Sequence, residues 1–137
     1  MSVLARILPI AMLAICLTGC TGNQHLGTGI VRFDDGEPVR SGTVEFRCID
    51  DGARFASRID EQGQFSLTDG DGQATIPDGR YEVVVVQMVL TEDLAASLHT
   101  HGRTVPRRFA DYYTSELRIA VDHQKHPEPI HVVLVSE

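Results

Sequence analysis

The feature that most constrains the fold is a series of short segments in which apolar and polar side chains alternate. In the clearest, Thr43 to Cys48, Val44 and Phe46 share one face and polar residues occupy the other. A period of two residues is that of a strand with one buried face. Turns rich in glycine separate these segments at the short spacing typical of an all-β domain. The pattern therefore predicts a small β-sandwich.

Seven segments of this kind predict seven strands. They cover residues 31–33, 43–48, 55–59, 65–67, 81–89, 117–121 and 130–135. The segment 81–89 is apolar on both faces and rich in valine, which predicts a central strand. Residues 92–99, with two leucines four positions apart, indicate one or two helical turns. Because seven strands are the number typical of a sandwich, we expect a seven-stranded antiparallel β-sandwich, transthyretin-like or immunoglobulin-like, over residues 27–137.

The first 20 residues have the features of an export signal. Arg6 supplies positive charge, and residues 7–17 form an apolar stretch of 11 residues. Spanning a bilayer takes about 20 apolar residues, so this stretch is too short for a stable transmembrane helix. The run from Leu17 to Cys20 (LTGC) resembles the lipobox of bacterial lipoproteins, in which the cysteine is lipidated and the signal is cleaved before it. We expect a signal peptide over residues 1–19, lipidation at Cys20 and a tether over 20–26.

The alternative is an ordinary secretory signal in which Cys20 is incidental. Under the lipobox interpretation the protein is exported and held in the cell envelope by its lipid. Thr21 stands where inner-membrane lipoproteins carry aspartate, which favours the outer membrane. With Cys16 removed and Cys20 lipidated, Cys48 has no partner within the chain, and its position on the Val44 face predicts a buried, passive thiol.

Composition excludes several classes of protein. The chain of 137 residues carries a net charge of −7, which would repel the phosphates of a nucleic acid. A hydrophobic content of 42% excludes both a disordered tail and a multi-spanning membrane protein. We therefore expect one folded domain that binds no nucleic acid.

Three ordered motifs resemble the carboxypeptidase regulatory-like, or transthyretin-like, β-sandwich family. They are the opening strand, turn and second strand at 29–46, a D-x-x-G-x-F hairpin at 60–65 and a P-x-G-x-Y-x-V strand entry at 77–83. The segment 105–117 is similar to one in small exported lipoproteins of this type. The resemblance covers most of residues 27–135. It implies a seven-stranded sandwich with an accessory or binding role and no shared catalytic motif.

Catalytic relatives of that family are not indicated by the residues present. No histidine is followed three positions later by glutamate, as the zinc site of carboxypeptidases requires, and the chain ends in Leu-Val-Ser-Glu rather than the Tyr-Arg-Gly-Ser of hydroxyisourate hydrolases. His99 and His101 could offer two imidazoles to one metal, so a metal-assisted hydrolase is one alternative function. Solvated loop histidines are the simpler interpretation, and we expect no cofactor. Asp69 to Gly72 is interpreted as a tight turn rather than part of a calcium loop.

The long segment 91–114 holds the candidate partner-binding residues. They are Arg103, Arg107, Arg108, Tyr112 and Tyr113. Arginine and tyrosine side chains often anchor protein interfaces. In the alternative interpretation, Phe109 and Tyr112 fasten a long loop to the sandwich while the arginines offset local acid. We expect a membrane-anchored, non-catalytic lipoprotein that binds a protein or glycan. A purely structural spacer is the remaining alternative.

Overall fold

The computed structural model describes residues 27–88 and 102–135, and it is almost entirely β. The strands in these residues are β1 (Thr28–Phe33), β2 (Thr43–Cys48), β3 (Arg54–Arg58), β4 (Gln64–Ser66), β5 (Gly79–Val86), β6 (Leu117–Val121) and β7 (Ile130–Leu134). A 3-10 helix, Arg107–Ala110, and the single-turn helix α1, Tyr112–Ser115, lie between β5 and β6. The prediction of a mostly β domain is confirmed. The signal peptide, the tether, Cys20 and the helix expected over 92–99 lie outside the described residues.

The strands form two sheets, of order β3-β2-β5-β6 and β4-β1-β7. β5 pairs with both β2 and β6, as expected of a strand that is apolar on both faces. β1 and β7 are parallel, with Gly29 opposite Ile130, so the prediction of a wholly antiparallel sandwich is wrong for this pair. The chain crosses from one sheet to the other after β6, which lays β7 beside β1. Alternation reports which face of a strand is buried, and it carries no information about the direction of the neighbouring strand.

The core lies between the two sheets, where the inward side chains of alternating positions meet. Phe46 of β2 contacts Phe65 of β4 and Tyr81 of β5, with ring centroids 5.9 and 6.0 Å apart. Phe46 and Tyr81 are 0% and 1% exposed. Burying an aromatic side chain of this size contributes on the order of 2 kcal/mol. These rings therefore join the sheets at the centre of the domain.

Two of the turns use an aspartate to hold the backbone. The Asp69 carboxylate accepts from the N–H groups of Asp71 and Gln73, both at 2.9 Å, and Gly72 has φ +78°. Asp60 accepts from Gln62 and Gln64 in the same way before β4. The interpretation of residues 69–72 as a tight turn is confirmed, because the Asp69 carboxylate is occupied within the turn.

Cys48 lies at the end of β2 and differs from expectation. It is free, but it is only partly buried, packing against the margin of the core. The prediction of a buried thiol is wrong in this respect because Cys48 is the last residue of its strand, where the sheet no longer covers it. The N–H of Ala53 donates to the nearby Asp51 carboxylate at 2.9 Å, and this bond, followed by the Cys48 thiol, lowers the pKa of Asp51.

The domain has two distinct ends. The chain enters β1 at Thr28, beside the β6–β7 connection, and we call this the entry end. β1 and β7 finish together at Phe33 and Leu134, and we call this the far end. Arg103 reaches Asp35 beside Phe33, so the segment 102–116 lies at the far end. No helix in the described part of the chain is long and apolar enough to cross a membrane.

Candidate functional site

The segment 102–116 is fastened to the sandwich by two apolar side chains. Phe109 and Val105 are 3% and 6% exposed and belong to the core. The N–H of Val105 donates to Oε1 of Gln87 at 2.9 Å. The Asp111 carboxylate accepts from the N–H of Tyr113 at 2.7 Å, which caps α1. These contacts agree with the alternative in which Phe109 anchors the segment.

Tyr112 fastens the same segment to the outer face of the four-stranded sheet. Its hydroxyl donates to Oε1 of Glu45 at 2.7 Å, and the Arg47 guanidinium lies 3.9 Å from the centre of its ring. Burial, followed by the hydrogen bond to Glu45, raises the pKa of Tyr112. Tyr112 is therefore a neutral donor whose ring supports a cation.

Arg47 is held in place by a carboxylate on the neighbouring strand. Its guanidinium hydrogen-bonds to Glu82, whose other carboxylate oxygen lies 3.0 Å from Arg118. The hydrogen bond from Arg47, with the charge of Arg118, lowers the pKa of Glu82, and the same bond raises the pKa of Arg47. The three groups thus form a charged row across β2, β5 and β6.

The other arginines of the predicted cluster lie elsewhere. Arg103 pairs with Asp35 at 2.7 Å and lies over the ring of Phe33 at 4.2 Å. Arg108 lies 4.7 Å from the centre of the Phe109 ring and donates to the carbonyl of Val135. Both arginines therefore fasten the segment to the far end of the three-stranded sheet.

Arg107 and Tyr113 are the two predicted residues that project into solvent. Tyr113 is 94% exposed, and Arg107 is exposed in the 3-10 helix. Tyr113 borders a cleft of about 610 Å³ between the sheet edges, with Phe109 as part of its wall and Val135 opposite. Arg108 lines the same cleft, so the structure brings Arg108 and Tyr113 together, while Tyr112 lies on the outer face of the four-stranded sheet and Arg103 lies against Asp35.

A second set of arginines, which sequence reasoning missed, lies on the outer face of the four-stranded sheet. We call it the arginine face; its members are Arg47, Arg54, Arg58, Arg80 and Arg118. Each occupies the polar position of an alternating strand, but only the register places Arg54 beside Arg47 and Arg118 beside Glu82. Strand pairing over long sequence separations was needed to find it.

The arginine face has more cations than carboxylates. Its strand positions carry five arginines against Glu45 and Glu82, a balance of 5 − 2 = +3 on a chain of net charge −7. Glu45 is 3.5 Å from Arg54, and Arg80 reaches Asp50 in the next turn at 3.1 Å. The side chains of Arg54, Arg80 and Arg118 are 61%, 69% and 50% exposed. The excess charge is therefore presented to solvent.

The histidines near the entry end are each held by a different partner. The Nδ1 of His123 contacts Asp78, and the Nδ1 of His131 accepts from Arg32. Both line a cavity of about 210 Å³, yet within residues 27–88 and 102–135 no three potential ligand side chains converge as a metal site. His99 and His101, the pair predicted as metal ligands in the alternative function, lie outside the described residues.

Comparison of the chain with protein-family profiles, with curated protein sequences and with solved structures returns no match.

Proposed function

We propose that the chain is an exported lipoprotein, anchored through Cys20, whose β-sandwich binds a protein or glycan of the cell envelope without catalysing a reaction. The observation that carries the proposal is the position of Tyr113, 94% exposed, at the end of the domain opposite Thr28. A lipid placed before Gly27 holds the entry end near the bilayer and leaves the far end accessible to a partner. The resemblance to transthyretin-like sandwiches supports the same role.

The far end suits recognition because its support is rigid. Tyr112 fixes the start of the helical turn that carries Tyr113, and Ser115, 4% exposed and donating to the carbonyl of Val83, fixes its end. An exposed aromatic on an ordered backbone loses little conformational entropy when a partner covers it. Tyrosine and arginine are also enriched among residues that dominate binding energy. Tyr113 and Arg107, with the cleft beside Val135, form the proposed contact surface.

The anchor is tested by replacing Cys20 with serine. We expect the wild-type protein to incorporate labelled fatty acid and to sediment with membranes, and the Cys20→Ser variant to lose the label. Wild-type protein that is soluble and begins at a residue other than 20 would contradict the lipoprotein assignment.

The contact surface is tested with a photo-crosslinking residue at position 113 in living cells. The matched control carries the same residue at Lys125, which is exposed in the β6–β7 connection at the entry end. We expect a discrete crosslinked species from position 113 that the Arg107→Ala substitution weakens. Equal crosslinking from both positions would refute a specific surface at the far end.

A further inference from the structure

The charge of the described residues is distributed unevenly over the domain. The turns and connections of the entry end carry seven carboxylates, those of Asp50, Asp51, Asp69, Asp71, Asp78, Asp122 and Glu128, against the single cation of Lys125. The arginine face has the opposite balance, as described above. The domain therefore has a strongly acidic end and a basic side.

The arginine face is broad and already ordered. Four strands spaced by about 4.8 Å give it a width of roughly 14 Å. Arg47 is fixed between the ring of Tyr112 and the carboxylate of Glu82, and Arg118 pairs with the second oxygen of that carboxylate. Tyr112 covers the middle of the face at Glu45 and Val84, and the arginines lie around it. Such a set of partly ordered guanidinium groups fits a surface that carries many anionic groups, because each arginine retains further donors for phosphate or carboxylate oxygens.

The outer face of the three-stranded sheet provides the contrast. Its described strand positions carry one arginine, Arg32, which donates to His131, and apolar side chains such as Val133, 40% exposed. The two sides of the sandwich therefore differ in charge while belonging to the same domain. This difference makes one side a matched control for the other.

The short chain before the domain limits which surfaces the arginine face can contact. Under the proposed function, the six residues 21–26 separate the lipid from the domain and extend at most about 20 Å. Electrostatic interactions at physiological salt reach about 8 Å. A domain on so short a tether stays within reach of the lipid headgroups, and its acidic entry end is repelled by anionic ones.

We infer that the arginine face lies against an anionic phospholipid surface, so that the sandwich rests on its side on the membrane that holds its anchor. This inference depends on the proposed function, because the anchor supplies the proximity. Resting on the basic side places the arginine face, rather than the acidic entry end, nearest the headgroups, while the tether still joins the entry end to the lipid. The cleft beside Val135 that Tyr113 borders is lined by no member of the arginine face, so it lies outside this contact.

The test uses the absence of tryptophan from the chain. A single tryptophan replaces Ala56, which lies on the outward side of β3 between Arg54 and Arg58, or Val133 on the opposite sheet. The full lipidated protein is reconstituted into vesicles of phosphatidylglycerol or phosphatidylcholine that contain dansyl-labelled headgroups. Energy transfer from tryptophan to dansyl then reports how close each side lies to the headgroups.

We expect stronger transfer from Ala56→Trp than from Val133→Trp in phosphatidylglycerol vesicles. The difference should disappear in phosphatidylcholine and at about 1 M salt, where the screening length falls to about 3 Å. A triple variant, Arg54→Gln, Arg58→Gln and Arg118→Gln, should abolish it. Each arginine near an anionic surface contributes roughly fivefold in binding, so the triple variant lowers the population resting on this face about a hundredfold.

The matched control removes the same charge elsewhere, through Arg32→Gln, Arg40→Gln and Lys125→Gln, and should keep the difference in transfer. Flotation with phosphatidylcholine vesicles reports the anchor separately, so protein that fails to float contradicts the proposed function itself. Protein that floats but gives equal transfer from both tryptophans in phosphatidylglycerol overturns the inference. An effect of the control triple as large as that of the first triple would also overturn it, by showing that only net charge matters.

Discussion

Replacement of Gly29 by alanine should destabilise the domain strongly, because Gly29 lies where three strands meet. A Cβ built at this position comes 2.3 Å from Cζ of Phe65 on β4 and 2.4 Å from the carbonyl oxygen of Ile130 on β7. Neither contact is one that a real Cβ tolerates. The Phe65 ring is 5% exposed and confined by the core, and the carbonyl belongs to the backbone of a paired strand.

The size of the effect follows from two opposing terms. Alanine in a strand normally gains about 0.5–1 kcal/mol over glycine by restricting the unfolded chain. Overpacking a core costs about 1–3 kcal/mol or more, and here both neighbours of β1 must move. We expect a net loss of about 2 kcal/mol in the free energy of unfolding. With a urea m-value of about 1.5 kcal/mol/M, the midpoint should fall by a little over 1 M.

Urea denaturation followed by circular dichroism measures this shift. The control is Gly70→Ala in the 69–72 turn, where an added Cβ meets no atom within 4 Å. Gly70→Ala should change the midpoint little. If Gly29→Ala is no more destabilising than Gly70→Ala, then β1 does not lie between β4 and β7, and the three-stranded sheet described above is incorrect.

Two further predictions concern the core and its dependence on pH. Phe109→Ala should lower the free energy of unfolding by about 3–5 kcal/mol, because this 3% exposed ring closes the core at the far end. The control, Arg107→Ala, should leave thermal unfolding almost unchanged. Equal effects of the two substitutions on thermal unfolding would contradict the anchoring role of Phe109. Burial raises the pKa of Tyr81 to about 12, and its hydroxyl donates to the carbonyl of Pro77 at 2.8 Å. The unfolded chain loses this proton near pH 10 while the folded protein keeps it, so stability should fall as pH rises from about 10 to about 12. Tyr81→Phe should reduce this decline, leaving the part that comes from the raised pKa of Tyr112, and an unchanged decline in denaturation measured across that range would refute the role of Tyr81.

Most of the strands were predictable because they have one buried face, which leaves a two-residue period in the sequence, and β5 was predictable because it is apolar on both faces. β2 was placed correctly from Thr43 to Cys48 by this signal alone. The parallel pairing of β1 with β7 was not predictable, since pairing direction depends on where the chain crosses between sheets. The helical turns at 107–115 were missed because each is a single turn and shows no 3.6-residue period.

The candidate site was only partly predictable for the same reason. Arg103 and Tyr112 were selected as exposed contact residues, but their partners, Asp35 and Glu45, are more than 60 positions away in the sequence. Residue type indicates what a side chain could bind, and only the fold shows whether that capacity is already used. The arginine face illustrates the converse, since its members look unremarkable on their separate strands until the register aligns them.

The parallel pairing of β1 with β7 also has a consequence for when the domain can fold. The β1–β7 ladder cannot form until Ile130, 101 positions after its partner Gly29, has been synthesised. β1 has only the three-residue strand β4 as its other neighbour, and so short a ladder adds little stability of its own. A chain that emerges from its N-terminus therefore cannot complete the three-stranded sheet until Leu134 is free. Contacts of such sequence separation also slow folding. The topology thus keeps the three-stranded sheet incomplete until β7 has been synthesised, and until then β1 lacks its longer ladder.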